Sequence, residues 1–232
     1  MGYLKRAMFT AALFLLLSIA CIVIFYGHIA AFIFARSNNI DISYKQVIVG
    51  GFKEFVFKDL KAAWRRQGTG LSSSGASIKL IFDKSSPPSA AADFVLNDVQ
   101  FIKKGSGKEI SYNDIDGLIA APFSGLLKYK TASGKISRIQ NGTSLKDFIA
   151  SGDQIGFLFD GTLTDNNIIN ADITIYFAED LVGRIPPELT SMVLKDEADG
   201  WKSLALKLEG DLSKPSIRVT GKLFKLNIGV KR

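Results

Sequence analysis

The chain has 232 residues, with 29 Lys and Arg against 22 Asp and Glu, and a single His and a single Cys. One cysteine excludes disulfides within the chain and thiol metal sites, and one histidine leaves no serine–histidine or cysteine–histidine nucleophilic pair beyond position 28. The net charge of +7 is scattered without a run of five or six, so the basic stripe with interleaved aromatics that nucleic-acid binding needs is missing.

From Ala7 to Ala35 the residues read AMFTAALFLLLSIACIVIFYGHIAAFIFA, uncharged apart from a protonatable His28. A helix needs about 20 apolar residues to cross the hydrocarbon core, and this run is longer. A cleavable signal peptide has an apolar region of about 7–15 residues before its cleavage site, so the run reads as an uncleaved transmembrane anchor. Ser18-Ile19-Ala20-Cys21 approaches a lipoprotein box, but Leu17 stands one place too early and an apolar stretch follows Cys21. Cys21 therefore reads as a small membrane-embedded hydrophobe. Lys5 and Arg6 precede the run, which puts the N-terminus in the cytoplasm and about 195 residues outside. His28 falls at headgroup depth rather than in a metal site. The expected organisation is an anchor over residues 1–36 and an extracytoplasmic domain over 37–232.

Ile40, Ile42 and Tyr44 alternate with polar residues, which predicts a half-buried strand; Val47 and Val49 continue it after a phase change. Gly50-Gly51 makes a turn, and Phe55 to Trp64 returns as a second strand. Residues 67–77, QGTGLSSSGAS, read as a loop or a weak edge. Ile78, Leu80 and Phe82 share a face, after which Pro87-Pro88 breaks regular structure. Residues 94–105 form a strand kinked at Asn97-Asp98. Val95-Leu96-Asn97-Asp98-Val99-Gln100 repeats the pattern of Val56-Phe57-Lys58-Asp59-Leu60-Lys61, which hints at a recurring strand unit.

Turns are expected at Gly105-Ser106-Gly107, Ser133-Gly134 and Asn141-Gly142, and Thr143 to Gly152 has the capping pattern of a two-turn helix. The late strands are the clearest. Ile155, Phe157, Phe159 and Leu163 share one face; so do Ile173, Ile175 and Phe177; so do Leu204, Leu206, Leu208 and Leu212. Between them Pro186-Pro187 opens a short helix whose Leu189, Met192 and Val193 would lie on one side, either capping the sheet as a cover or lid or, as a plain connection, completing its core. Ile217 and Val219 take one phase and Phe224, Leu226, Ile228 and Val230 the other, which implies a bulge near Leu223. The fold class is all-β with a few short helices. An N-terminal transmembrane helix precedes a curved antiparallel sheet, built as an open groove or a sandwich.

No Gly-rich loop links a strand to a helix, so a nucleotide cradle is not indicated. The carboxylates of YNDIDG (Asp114, Asp116) and KDEADG (Asp196, Glu197, Asp199) could in principle pair as in a glycosidase, but they flank Gly in turn-like segments where solvated acids are routine. The expectation is a non-enzyme without cofactor or metal.

The strand DITIYFAEDL, the helix IPPELTSMVLK, the turn DEADGW and the segment LALKLEGDLSKPSIRVTG resemble the AsmA-like envelope proteins. In that group an alternating strand ends in Gly and a Gly-x-Leu-Ser-x-Pro turn leads to the next, here Gly210, Leu212, Ser213 and Pro215. The anchor followed by IDISYKQVIVGGFKEFVFKDL is similar too. The resemblance covers the C-terminal third best and carries over no catalytic residue. It implies a single-pass inner-membrane protein of a double-membraned bacterium, with its β-domain in the periplasm. Its relatives are linked to phospholipid movement and outer-membrane assembly, and a GspN-like branch to type II secretion. The chain is much shorter than the long lipid bridges, which implies a short module, an oligomer or a partner subunit.

A sheet with one apolar face must bury it against something. If the face stays open, Ile78, Leu80, Phe82, Ile155, Phe157, Phe159, Leu163, Ile173, Ile175, Phe177, Leu204, Leu206, Leu208, Ile217 and Val219 line a groove for phospholipid acyl chains; if closed, they fill a core. The alternative to lipid handling is a scaffold in a type II secretion or LptC-like transport complex that acts through protein contacts.

Overall fold

The computed structural model describes residues 40–51, 53–64, 69–83, 89–103, 112–223 and 225–229, together with His28, Ala31, Phe32 and Arg36. The proposed anchor apart from His28, Ala31 and Phe32, the Gly105–Gly107 turn and the Pro87-Pro88 break lie outside the described residues. Among those described, no helix is long and apolar enough to cross a membrane.

The chain builds one open sheet of 13 strands in which every pair is antiparallel. The strands are β1 (Ile40–Ser43), β2 (Gln46–Val49), β3 (Glu54–Trp64), β4 (Thr69–Asp83) and β5 (Ser89–Lys103). Then follow β6 (Lys128–Ile139), β7 (Gly142–Ser151), β8 (Ile155–Thr164) and β9 (Ile168–Phe177), then β10 (Lys195–Asp196), β11 (Lys202–Asp211), β12 (Ser216–Thr220) and β13 (Lys225–Gly229). From β3 to β9, and on through β11 to β13, each strand pairs with the next in sequence. The short β1 and β2 share one edge of β3, and β10 lies beside β12 along β11. A meander of this kind needs only short turns at one end, and Gly50-Gly51, Gln140-Asn141 and the 165–167 and 212–215 turns supply them.

The described helices between β5 and β11 lie at the other end. Helix α1 (Ile115–Ala120) and a 3₁₀ turn (Ala121–Phe123) join β5 to β6. Helices α2 (Glu179–Val182) and α3 (Pro187–Val193) join β9 to β10 and β11. Asp114 starts α1 as its N-cap, its carboxylate accepting the Gly117 N–H at 2.6 Å. Ile40 pairs with Trp64, so the N-terminal segment also enters at this helical end.

Four expectations from the sequence are overturned. Residues 67–77 are not a loop or weak edge: from Thr69 they belong to β4, a 15-residue interior strand between β3 and β5. Their small side chains make the strand unreadable alone, but ladder bonds from both neighbours hold it. Thr143 to Ser151 is strand β7 rather than a helix, because β6 and β8 pair with it on both sides. Ser133-Gly134 lies inside β6 rather than at a turn. The change of phase at Leu223 is a hairpin between β12 and β13, not a bulge within one strand, and it puts Leu226 opposite Val219 on the same face.

The sandwich alternative also falls. Among the described residues all strands form a single sheet, and no second layer of strands packs on it. The sheet does bend: Cα atoms of β6 and β8 come within 8 Å across β7, closer than the roughly 9.5 Å of two flat strand spacings. The ladder also carries register shifts in β6 between Ser133 and Lys135, and in β7 between Leu145 and Phe148.

The repeated Asp motif has a structural meaning. Asp59 and Asp98 both take a left-handed backbone, φ 52° and 50°. Each breaks the alternation, so that Phe57 and Leu60, and likewise Leu96 and Val99, are buried three residues apart. The intervening β4 matches them with Ser73 and Ala76, and β6 with Tyr129 and Ala132. A crease thus runs across four strands without loss of register. Ser73 Oγ donates to the Asn97 carbonyl at 2.7 Å, and Ser74 Oγ to the Asp98 carboxylate at 2.6 Å, serving acceptors the ladder leaves free there.

Candidate functional site

Directly paired residues lie on one face of a sheet, so the register defines rows that cross the strands. Next to the crease, Phe57, Ala76, Leu96 and Ala132 continue through Ala150, Phe157, Ile175 and Leu204. All are buried, the most exposed at 8%. Towards the helical end, Tyr129, Ile155 and Phe177 are sealed as well, under Leu118, Leu181, Val193 and Leu194 of the helical segments. The Tyr129 hydroxyl donates to the Pro122 carbonyl at 3.0 Å, and burial pushes its ionisation well above the ordinary tyrosine range. Phe123 reaches over the same face, its ring 5.3 Å from Phe101 and 5.2 Å from Phe157.

Towards the turn end the cover stops. One row runs Phe55, Ile78, Phe94, Gly134, and after the β7 bulge Phe159, Ile173, Leu206 and Val219. The next runs Leu80, Ala92, Ile136, Leu145, Gly161, Ala171, Leu208 and Ile217. Ile78, Leu80, Phe94, Phe148, Phe159, Leu163, Ile173, Leu208 and Ile217 are only half-buried, and Ile136 and Phe82 are 42% and 56% exposed. Two glycines keep the floor low here. A Cβ on Gly134 would stand 3.1 Å from the Phe94 ring and 3.2 Å from the Phe148 backbone, so its absence lets those rings meet at 6.1 Å. A Cβ on Gly161 would meet Ala171 at 2.7 Å. Phe55, Ala171, Leu206 and Val219 of these rows stay buried, so the result is an apolar trough, roofed at the helical end and partly bare at the turn end.

The sequence-predicted residues thus fall into two groups. Ile155, Phe157, Ile175, Phe177, Leu204, Leu206 and Val219 are in the roofed or tightly packed part. Ile78, Leu80, Phe82, Phe159, Leu163, Ile173, Leu208 and Ile217 line the open part. Leu212, expected on the β11 face, is in a turn and 45% exposed. On α3 the expected stripe splits: Val193 is buried and Leu189 packs against the core, but Met192 is 49% exposed. The helix is one seven-residue piece, and only its i, i+4 pair reaches the sheet. Sequence reading missed Phe55, Phe94, Ile136 and Phe148. Phe94 and Phe148 were hidden because their strands carry a kink and a mistaken helix; cross-strand alignment with Ile78 and Phe159 was the signal that finds them.

The opposite face is mixed: beside charged rows it carries Val56, Val95, Ile149 and Leu158, with Val95 and Ile149 45% and 46% exposed. Lys79, Asp93 and Lys135 stand in register, as do Asp160, Asp172, Lys207, Arg218 and Asn227. Lys207 and Arg218 bracket Glu209 at 3.0 and 3.7 Å, which holds its carboxyl below the usual range. A cleft of about 460 Å³ opens on this face between β9 and β13. Three of the five acidic groups weighed for chemistry have partners of other kinds. Asp114 caps α1, Asp196 binds Lys202 and Lys222, and Glu197 accepts from Ser203 at 2.6 Å. Among the described residues no three His, Cys, Asp or Glu side chains gather to hold a metal. His28 Nδ1 lies 2.8 Å from the Tyr44 hydroxyl, and Tyr44 packs edge-on to Phe57, tying the N-terminal segment to β3.

No family model, curated protein or solved structure matches the chain.

Proposed function

We propose that the chain is a membrane-anchored, non-catalytic envelope protein of the AsmA-like kind, whose open trough shelters phospholipid acyl chains. In this reading the run from Ala7 anchors the chain in the inner membrane, its last turns from His28 meet the sheet, the N-terminus is cytoplasmic and the sheet lies in the periplasm. The observation that carries it is the half-roofed apolar face. A protein that needed this face only for stability would cover it, yet Phe82 and Ile136 stay exposed beside half-buried Phe94 and Phe159. The charged rows lie on the opposite face, which suits a shelter that has water behind it.

The protein-contact reading, a scaffold subunit of a secretion or LptC-like complex, draws support from the two sheet edges. β13 on one side and β1 with β2 on the other have no strand partner beyond them among the described residues. Photo-crosslinkers at Phe82 and Ile136, with Asp172 on the opposite face as control, separate the two in the full chain in native membranes. Lipid adducts at the first two positions and none at the third support the shelter. Protein adducts at all three, with no lipid in mass spectra of the purified protein, overturn it.

A further inference from the structure

Tyr44 fixes where the N-terminal chain meets the sheet. It stands at the crease between β1 and β2, with His28 Nδ1 2.8 Å from its hydroxyl and Ala31 buried in the core. His28, Ala31, Phe32 and Arg36 are helical, so Arg36 lies about 12 Å along the axis from His28. Arg36 must also lie within about 14 Å of Ile40, because the chain between them reaches no further. Ile40 opposes Trp64 at the helical end, and Tyr44 is about 13 Å back from it along the sheet edge. A helix running from the crease towards the helical end meets both limits. One running the opposite way would leave Arg36 about 25 Å from Ile40. At His28 the chain therefore arrives from the turn-end side.

The turn end is apolar out to its tips. Ile48 near the end of β2, Phe82 near the end of β4, Ile139 at the end of β6, Ile168 at the start of β9 and Leu212 after β11 are all exposed. The trough accounts for only part of this set. Register places Ile48 opposite Val56, Ile139 opposite Gly142 and Ile168 opposite Asp211, all on the face away from the trough. Acyl chains in the trough would leave these three in water, whereas an apolar phase met end-on covers both faces of the tips at once. The charges there suit such a phase. Arg138 donates to both carboxylate oxygens of Asp165 at 2.9 and 2.8 Å, so the ion pair beside Ile139 is neutralised. Lys53 Nζ stands 5.9 Å from the centre of the Phe82 ring, a cation on a long stem beside an aromatic, as at a headgroup boundary.

We infer that the turn end enters, end-on, the phospholipid leaflet that holds the N-terminal run, with Ile48, Phe82, Ile139, Ile168 and Leu212 as its inserted tips. The inference rests on the anchor reading and adds the orientation: the open part of the trough faces the leaflet and the roofed end points away. Leu126, Met192 and Leu223 at the helical end are exposed as well, and the direction of the helix at His28 chooses between the two ends.

The test places the full chain in phosphatidylcholine vesicles, with bimane as reporter and a phosphatidylcholine carrying a nitroxide near its headgroup as quencher. Native Cys21 carries the label for the anchor. In a Cys21→Ala background, Ile139→Cys and Ile168→Cys carry it at the tips. Ile149→Cys carries it on the same face about 20 Å further in, and Leu223→Cys at the helical end. All four positions are exposed, and an unchanged urea midpoint checks that the labelled chains keep the fold. Side chains that enter a leaflet lie about 5–10 Å deep, so the quencher should cut emission at both tips by at least about half. Cys21 should be quenched too, and Ile149 and Leu223 hardly at all. Both tip labels face away from the trough, so lipid held in the trough cannot give this result. Quenched Cys21 with unquenched tips overturns the orientation and leaves the anchor and the trough standing. Quenching at Leu223 in place of the tips puts the membrane at the helical end, and quenching at Ile149 equal to the tips lays the sheet flat; either overturns the inference. Unquenched Cys21 overturns the anchor reading and this inference with it.

Discussion

Truncating three leucines of β11 one at a time reads the roof directly. Leu204, Leu206 and Leu208 point to the same face from successive rows, with Leu204 fully buried, Leu206 6% exposed and Leu208 half-buried. Leu→Ala removes three carbons, at about 0.8 kcal/mol for each CH₂-sized group returned to water, so roughly 2.4 kcal/mol for a fully buried side chain. At Leu204 the void is sealed beneath the helical segments and adds a cavity term, giving about 3–4 kcal/mol. At Leu206 the trough opens alongside and the void is not sealed, leaving about 2 kcal/mol. At Leu208 much of the side chain is wet in the native protein, and the cost drops to about 1 kcal/mol. For a chain of this length about 1 kcal/mol moves the melting midpoint by about 2–4 °C, so the three variants should separate clearly. Urea unfolding of the full chain in neutral detergent, followed by tryptophan fluorescence, measures them. A Leu208→Ala cost equal to that of Leu204→Ala would refute the half-roofed trough, since a sealed core penalises both alike.

Lys207→Asp at the neighbouring position should cost up to about 1 kcal/mol, because the new carboxylate stands directly opposite Asp172 and beside Glu209; Lys207→Gln in the same unfolding assay should cost less. Met192→Ser should stay within about 0.5 kcal/mol of the parent, while Val193→Ser should cost several times more, both read as shifts in the urea midpoint. Asp196 gives a pH signature. Its folded pKa, about 2, lies below the unfolded value, so its contribution is present above about pH 4 and is lost as pH falls towards 2; Asp196→Asn should flatten stability over that window, most visibly at low salt. The anchor reading predicts that the protein resists carbonate washing of membranes and keeps its N-terminus; a soluble form beginning near Arg36 would sink it.

What the sequence determined by itself was one-sidedness. Period-two alternation in Ile155–Phe159, Ile173–Phe177 and Leu204–Leu208 gave strands with a single apolar face, because side-chain direction along a strand is a local property of the backbone. The kink at Asn97-Asp98 was legible for the same reason, whereas Asp59 showed only as part of a repeated pattern: a short polar residue that tolerates a left-handed backbone leaves its mark on the local pattern. Proline at the start of α3 was legible as well. What only the tertiary structure decided is pairing. Strand β4, with Ser72-Ser73-Ser74-Gly75 in its middle, and strand β7, with a helix-like cap at Thr143, take their state from neighbours that bond them on both edges. Pairing also decided that the sheet neither closes nor stacks, that Phe148 stands beside Phe94 over Gly134, and that Met192 turns away from the face that Val193 enters. The gathering of Ile139, Ile168 and Leu212 at one end is of the same kind. They come from β6, β9 and a turn, and nothing local relates them until the meander has aligned its turns.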